Sequence, residues 1–398
     1  MENNSSSKRI VFIDWLRFIV VFSLIPFHAA ISYTGGGNVF VYDEHIRTSI
    51  KNGTLTWNAG PAFMRYFTMF FDNWFMHLLF LIAGITTALA LCKRTPQEYV
   101  QERSRRLLWP YTIGILTVIP AQSWLRALCF NRFDGNFFAF YPHFFNGINQ
   151  GPSSVGNFEW GHFWFLIYLF VFSMISLPLF MKIIQKEKSS IVYKTAAAIS
   201  NGKGVFLFAI WFSILEAAFR PGWPGFQNLI NDWANFSVYL SFFILGFIVG
   251  RFNSVLESIE RNRHIALFLG IFAFLCRITI YRICTVEDGY TIANMVVQGF
   301  RGVASYGFVL AAIGYGKKLL DSESKCMNLI RDISFPLYFL HFFFVSAITY
   351  LLIGTGLSIW FRWFITIIST SCIILLFTLL ARYIPLLRNF FSLSKPQK

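Results

Sequence analysis

Residues 364–381 read FITIISTSCIILLFTLLA, a run without a single charged side chain. A bilayer core of about 30 Å is crossed by about 20 apolar helical residues, and this run nearly suffices. It has companions at 204–219 and 238–250. Over all 398 residues, 56% are hydrophobic and only 13% charged. Soluble domains carry about 25% charged residues, so this chain lacks the polar groups to cover itself in water. Membrane barrels need alternating strands of about ten residues, and these uninterrupted runs are not alternating. The sequence therefore specifies an all-α fold, a polytopic integral membrane protein.

Working outward from that run, the apolar pattern predicts about ten transmembrane helices. They lie near 10–33, 66–92, 107–128, 160–182, 204–219, 235–250, 264–284, 292–316, 333–353 and 358–381. The fifth and sixth are short, and the second is polar at its start. Lys and Arg gather on alternate connections, among them Lys93, Arg94, Arg103, Arg105 and Arg106, then Lys317, Lys318 and Arg331. The positive-inside rule then places both termini in the cytoplasm. The same rule accounts for the net charge of +15. No zinc-ligand or RNA-recognition motif accompanies that charge, so it does not point to nucleic acid. Six cysteines without CxxC spacing indicate neither a metal site nor a disulfide framework.

Residues 1–8 read as a disordered tail, 9–383 as one membrane domain and 384–398 as a cytoplasmic tail. The first span follows Lys8 and Arg9 as a signal peptide would. It contains Asp14 and Arg17 and lacks a small-residue cleavage site, so it is read as a retained helix. Two long outer loops, about 34–61 and 129–159, carry Tyr42, Trp57, Phe133, Tyr141 and Phe144. Aromatic faces there suit sugar rings or an interfacial belt.

Ionisable groups inside spans are costly and mark function by default. The first span carries Asp14-Trp15-Leu16-Arg17 and, later, Pro26-Phe27-His28. At 100° per residue, eleven residues from Arg17 to His28 return to within about 20° of the same face, about 16 Å along the axis. An elongated molecule lying on that face would touch both. Asp72, His77, Glu159, His162, Trp164 and Glu216 gather at outer span ends, where with His28 they would frame a polar pocket. Deeper lie Arg301, which also fits a structural ion pair, and His341. On the inner side, Thr95-Pro96-Gln97-Glu98 reads as a capping box with proline at the first helical position. It leads into Arg103-Ser104-Arg105-Arg106, whose guanidinium forks match phosphate oxygens or anionic lipid.

Together these residues resemble the acyltransferase-3 family of membrane O-acyltransferases, most closely the glucan biosynthesis protein C type. Arg17 to His28 is similar to its Arg-X10-His signature. Phe80-Leu81-Ile82-Ala83-Gly84 is similar to its Phe-Leu-Ile-Ser-Gly segment, with alanine at the serine position. Arg103 to Pro110 resembles its arginine-rich approach to the third span. Gly161-His162-Phe163-Trp164-Phe165-Leu166 resembles its His-Leu-Trp-Phe-Leu element, and Tyr338 to His341 its late Tyr-x-x-His helix. The likeness covers about residues 9–383.

The resemblance implies transfer of an acyl group, acetyl or succinyl, from cytoplasmic acyl-coenzyme A to a hydroxyl of an extracytoplasmic carbohydrate. It implies an essential His28 and an Arg17 that contacts the donor. On that reading His28 is the general base or forms an acyl-histidine, since an imidazole ordinarily titrates near 6.5. Arg17, Arg103, Arg105, Arg106, Arg301 and His341 serve the donor. Asp72, His77, Glu159, His162, Trp164 and Glu216 serve the acceptor or orient His28. No metal is expected, and a homodimer is compatible with the sequence. No GxSxG elbow is present to suggest a serine acyl-enzyme. The alternative is an exporter of a polysaccharide or a small molecule, since buried Arg, His and Asp also line transport pathways.

Overall fold

The computed structural model describes residues 10–34, 41, 59–149, 156–185, 191–225 and 227–396. The expected tail at 1–8 and most of the 34–61 loop, with Tyr42 and Trp57, lie outside these residues. Among the described residues the only extended pairing is a single bridge between Ile148 and Phe158. Everything else that is regular is helix. The helices are α1 (Val11–Ile31), α2 (Ala59–Asp72), α3 (Phe75–Leu91), α4 (Pro96–Arg103), α5 (Trp109–Cys129), α6 (Trp164–Gln185), α7 (Ile191–Ser200) and α8 (Leu207–Phe219). The chain continues as α9 (Trp233–Arg251), α10 (Asn253–Arg261), α11 (Arg263–Ile283), α12 (Ile292–Leu319), α13 (Met327–Leu352), α14 (Ile359–Ala381) and α15 (Pro385–Phe391).

Among the described residues, nine helical runs are long and apolar enough to cross a bilayer, against the ten expected. The difference lies at the fifth span, a shorter apolar helix over Gly204–Phe219. Its two ends nevertheless reach opposite ends of the α11–α12 hairpin. Asn262, just before α11, donates to the Gly202 carbonyl at 2.9 Å, and Tyr290, just before α12, donates to Ala218 at 3.2 Å. The short helix thus runs the full height of its neighbours. The sixth span, read as short, is a 19-residue helix.

The second span is interrupted. Asn73 and Trp74 separate α2 from α3, and the Asn73 amide donates back to the Met69 carbonyl at 2.7 Å. α3 then packs on α9 backbone to backbone. A Cβ added to Gly84 would stand 2.0 Å from the Phe243 carbonyl oxygen, and one on Gly246 would stand 2.0 Å from that of Leu81. Helix pairs in lipid gain little from excluding water and depend on such close approach.

The start of α1, the start of α13 and the segment after α14 meet at the basic end of the bundle. Arg331 at the start of α13 pairs with Asp14 of α1 at 2.8 Å. Its neighbour Asp332 pairs with Arg382, just past α14, at 2.8 Å and accepts the Ser394 backbone N–H at 3.1 Å. The segment after α14 turns back as α15, with Phe391 and Leu393 buried in the core. α1 and α13 are therefore parallel neighbours, meeting at Asp14–Arg331 at one end and at His28–His341 towards the other.

Candidate active site

The capping box at Thr95 forms as read. Its hydroxyl accepts the Glu98 N–H at 3.3 Å, and the Glu98 carboxylate accepts the Thr95 N–H at 2.8 Å. α4 does not run straight into α5. Ser104–Leu108 form one π-helical turn, a local bulge that often marks functional positions. That turn carries Arg105 and Arg106. Arg106 pairs with Glu102 at 3.1 Å and is otherwise largely exposed, as is Arg105. Arg103 points elsewhere: it donates to the Thr87 hydroxyl at 2.9 Å and lies over the Tyr99 ring, tying α4 to α3.

Arg17 is 3.2 Å from Asp14. The same carboxylate accepts Arg331 Nε at 2.8 Å, so two guanidiniums share one acid. The Arg331 Nη2 is buried without a partner. Guanidinium groups are thus concentrated around one carboxylate at this level of the bundle. Sequence reasoning counts Arg331 with the inner loops and misses it here; the available signal is its place one turn inside an apolar helix, beside Asp332.

At the other level, α1 delivers His28 against α13. Its ring stacks on Phe342 with centroids 4.1 Å apart and lies 5.2 Å from the ring of His341. His162 joins from a 3-10 turn over Gly161–Phe163, its ring 5.1 Å from that of His341. Gly161 makes this turn possible, because φ of +46° lies in the left-handed region and a Cβ would stand 2.5 Å from the tip of Ile119. Tyr338 donates to the His162 carbonyl at 2.9 Å and fixes the turn to α13. His341, assigned to the donor from sequence, therefore stands beside His28 and away from the inner arginines.

Comparison with known proteins reports on the chain as a whole. The family model for the acyltransferase domain of the acyltransferase-3 family matches residues 10–382. The chain belongs to this family. It is an acyltransferase, and its apolar helices make it a multi-pass membrane protein. Comparison with curated proteins and with solved structures finds no match.

The remaining polar residues of the acyltransferase occupy two further places. The first is an ion network where α2 breaks. Arg301 pairs with Asp72 at 3.0 Å and approaches Glu216 at 3.8 Å, while Arg220 grips Glu216 through two bonds of 2.8 and 2.9 Å. Arg277 donates to Asn73 at 3.3 Å on the same flank. Arg301, read as a donor ligand or an ion-pair partner, thus sits with Asp72 and Glu216. Arg220 and Arg277 escape the sequence reading, although Glu216 and Arg220 stand at helical i,i+4 spacing. His77 is fully buried between the edges of Tyr239 and Phe242, with neither ring nitrogen bonded among the described residues. Trp164 stacks on Tyr239, which stacks on Phe80, so an aromatic column links His77 to the neighbourhood of His162.

The second place is the outer loop. Glu159 pairs with Arg126 at 2.7 Å and accepts from Ser123 at 3.1 Å and Asn149 at 3.0 Å. Burial pushes its carboxyl above the ordinary range, and Arg126 opposes that rise. Phe144 is buried and Phe133 packs on Phe140, so these rings join the loop to the main core of the bundle, while Phe138 is exposed. No group of His, Cys, Asp and Glu among the described residues is arranged to hold a metal ion.

Proposed function

We propose that this acyltransferase moves an acetyl or succinyl group from cytoplasmic acyl-coenzyme A to a hydroxyl of a glycan, or a related acceptor, outside the cell membrane. The observation that carries this reading is the two-level arrangement along α1 and α13. Guanidinium groups gather at the basic end, and imidazoles lie towards the other. A donor with phosphates at one end and a thioester at the other has matching polarity. The basic end is the cytoplasmic one by the positive-inside rule.

Arg105 and Arg106 on the π turn, with Arg17, are the residues we assign to the coenzyme A phosphates and arm, and Arg331 adds to that charge. Arg103 has a tethering bond to Thr87 and would assist only by releasing it. His28 accepts the proton of the acceptor hydroxyl as its oxygen attacks the thioester carbon. The C–S bond breaks, and the leaving thiolate takes the proton back from the imidazolium. A covalent acyl-histidine divides the same transfer into two steps. His162 and Trp164 lie nearest for the acceptor. Asp72, His77, Glu216 and Glu159 act through the ion network and the outer loop. The likeness to the glucan biosynthesis protein C type favours a glucan acceptor. Family membership favours acyl transfer over the exporter reading.

The test is purified protein with radiolabelled acetyl- or succinyl-coenzyme A and glucan oligosaccharides. His28→Ala is expected to bind donor as the wild type does and to transfer at least about 100-fold more slowly, the scale of lost general-base catalysis. Full turnover in that variant removes His28 from the chemistry. Failure of the wild-type protein to bind any acyl-coenzyme A removes the donor assignment.

A further inference from the structure

His28, His341 and His162 meet from three distant parts of the chain, and hydrogen bonds fix the tautomers of two of them. His341 Nδ1 is 2.8 Å from the Tyr338 carbonyl and 3.0 Å from that of Leu337. Carbonyl oxygens only accept, so Nδ1 carries the proton and Nε2 carries a lone pair. That lone pair is buried and has no partner among the described residues. At His162 the Nε2 faces the Phe339 carbonyl at 3.3 Å, which leaves a second buried lone pair on Nδ1. A buried acceptor without a donor is costly, so both nitrogens call for an N–H or O–H.

The nearest ring able to give one to His341 is His28. Its own nitrogens make no hydrogen bond among the described residues, and its face is held by the stack on Phe342. The His28 and His341 centroids are 5.2 Å apart. Two imidazoles meeting edge to edge at about that separation have their nitrogens about 3 Å apart, a hydrogen-bond distance. A small turn of the His28 ring within the stack closes the bond.

We infer that His341 is a positioning residue for His28, its Nε2 accepting the N–H of His28. This rests on the reading of His28 as the base. The bond holds His28 in one tautomer and leaves the lone pair of its other nitrogen for the acceptor hydroxyl. As that hydroxyl's proton arrives, His28 becomes an imidazolium and its bond to His341 strengthens, because a charged donor bonds more strongly than a neutral one. His341 exchanges no proton. The proton goes from acceptor hydroxyl to His28 to thiolate, and the acyl carbon trades its sulfur for the acceptor oxygen. The second lone pair, on His162 Nδ1, is left for an acceptor hydroxyl.

Two variants separate this role from its rivals. Gln at position 341 places an accepting oxygen near the lost Nε2 but cannot act as a base. His341→Ala is expected to lower kcat roughly 10–100-fold, the usual scale for the supporting partner of a reactive group, with the KM for acyl-coenzyme A unchanged. His341→Gln is expected to recover most of that loss. Long-range proton–nitrogen NMR of histidine-labelled protein in detergent reads the tautomers directly. His28 should show one tautomer in the wild type and in His341→Gln, and a mixture in His341→Ala. A mixture already present in the wild type, or a single tautomer that survives His341→Ala, overturns the pairing. So does a His341→Gln enzyme as slow as His341→Ala, which would make His341 itself the base. Turnover surviving in His28→Ala would instead strike at the base reading, while the NMR result still decides the pairing.

Discussion

Asp14 shows how much one buried carboxylate organises at the scale of a residue. It holds Arg17 of its own helix and Arg331 of α13, so the level at which those guanidiniums sit is set by a single side chain. Removing that carboxylate takes an ion-pair partner from both guanidiniums at once. Asp14→Ala should therefore lower the melting temperature and weaken donor binding together, measured by thermal unfolding in detergent and by isothermal titration with acetyl-coenzyme A. Unchanged binding would separate the trio from the donor. Asp232, just before α9, offers a pH test. Burial pushes its carboxyl up to about 6, although Tyr168 donates to it at 2.6 Å. The unfolded carboxyl titrates near 3.9. The folded state then holds the proton more tightly, so this group's contribution is fully present below about 4 and is lost as pH rises through about 6. Asp232→Asn should flatten the fall in melting temperature between those values. An identical pH profile in the variant would show that the carboxyl does not titrate as stated. The Asp14–Arg17 pair and the His28 face are readable from spacing alone. The partners Arg331 and His341 are not readable as such, because spacing on one helix says nothing about which other helix lies against it.

At the scale of the element, local signals are legible where they are complete within a few residues. The Thr95 capping box and the proline start of α4 are of this kind. The π turn at Ser104–Leu108 is not, and neither is the break at Asn73–Trp74, where Arg277 of a distant helix claims the Asn73 side chain. Gly84 is a middle case. It ends a recognisable motif segment, and its reason is steric, the approach of the Phe243 carbonyl. Gly84→Leu should push α3 from α9 and greatly reduce the folded yield, read by size-exclusion chromatography in detergent. A monodisperse Gly84→Leu protein of wild-type stability would contradict that packing. Ala83 stands where the family carries serine, and its carbonyl accepts hydrogen bonds from Thr86 and Thr87 at 3.0 and 2.9 Å.

At the scale of the whole molecule, hydropathy sets the fold class and nearly the span count. The exception is the Gly204–Phe219 helix, whose length alone falls short of a span although its two ends bond to opposite ends of the α11–α12 hairpin. Native cysteines test the resulting orientation. Cys92 and Cys326 are exposed at the basic end, and Cys284 is exposed at the end of α11. With one of these cysteines retained at a time, a membrane-impermeant maleimide applied to intact cells should label Cys284 and spare Cys92 and Cys326. The reverse pattern would invert the molecule. The central claim, a donor taken from the basic end and spent at the other, is tested most directly in sealed proteoliposomes of known orientation. Radiolabelled acetyl- or succinyl-coenzyme A supplied only on the basic side should yield acylated glucan oligosaccharide only on the opposite side, and none with His28→Ala. Acylated product on the donor side, or equal transfer by His28→Ala, would contradict the account.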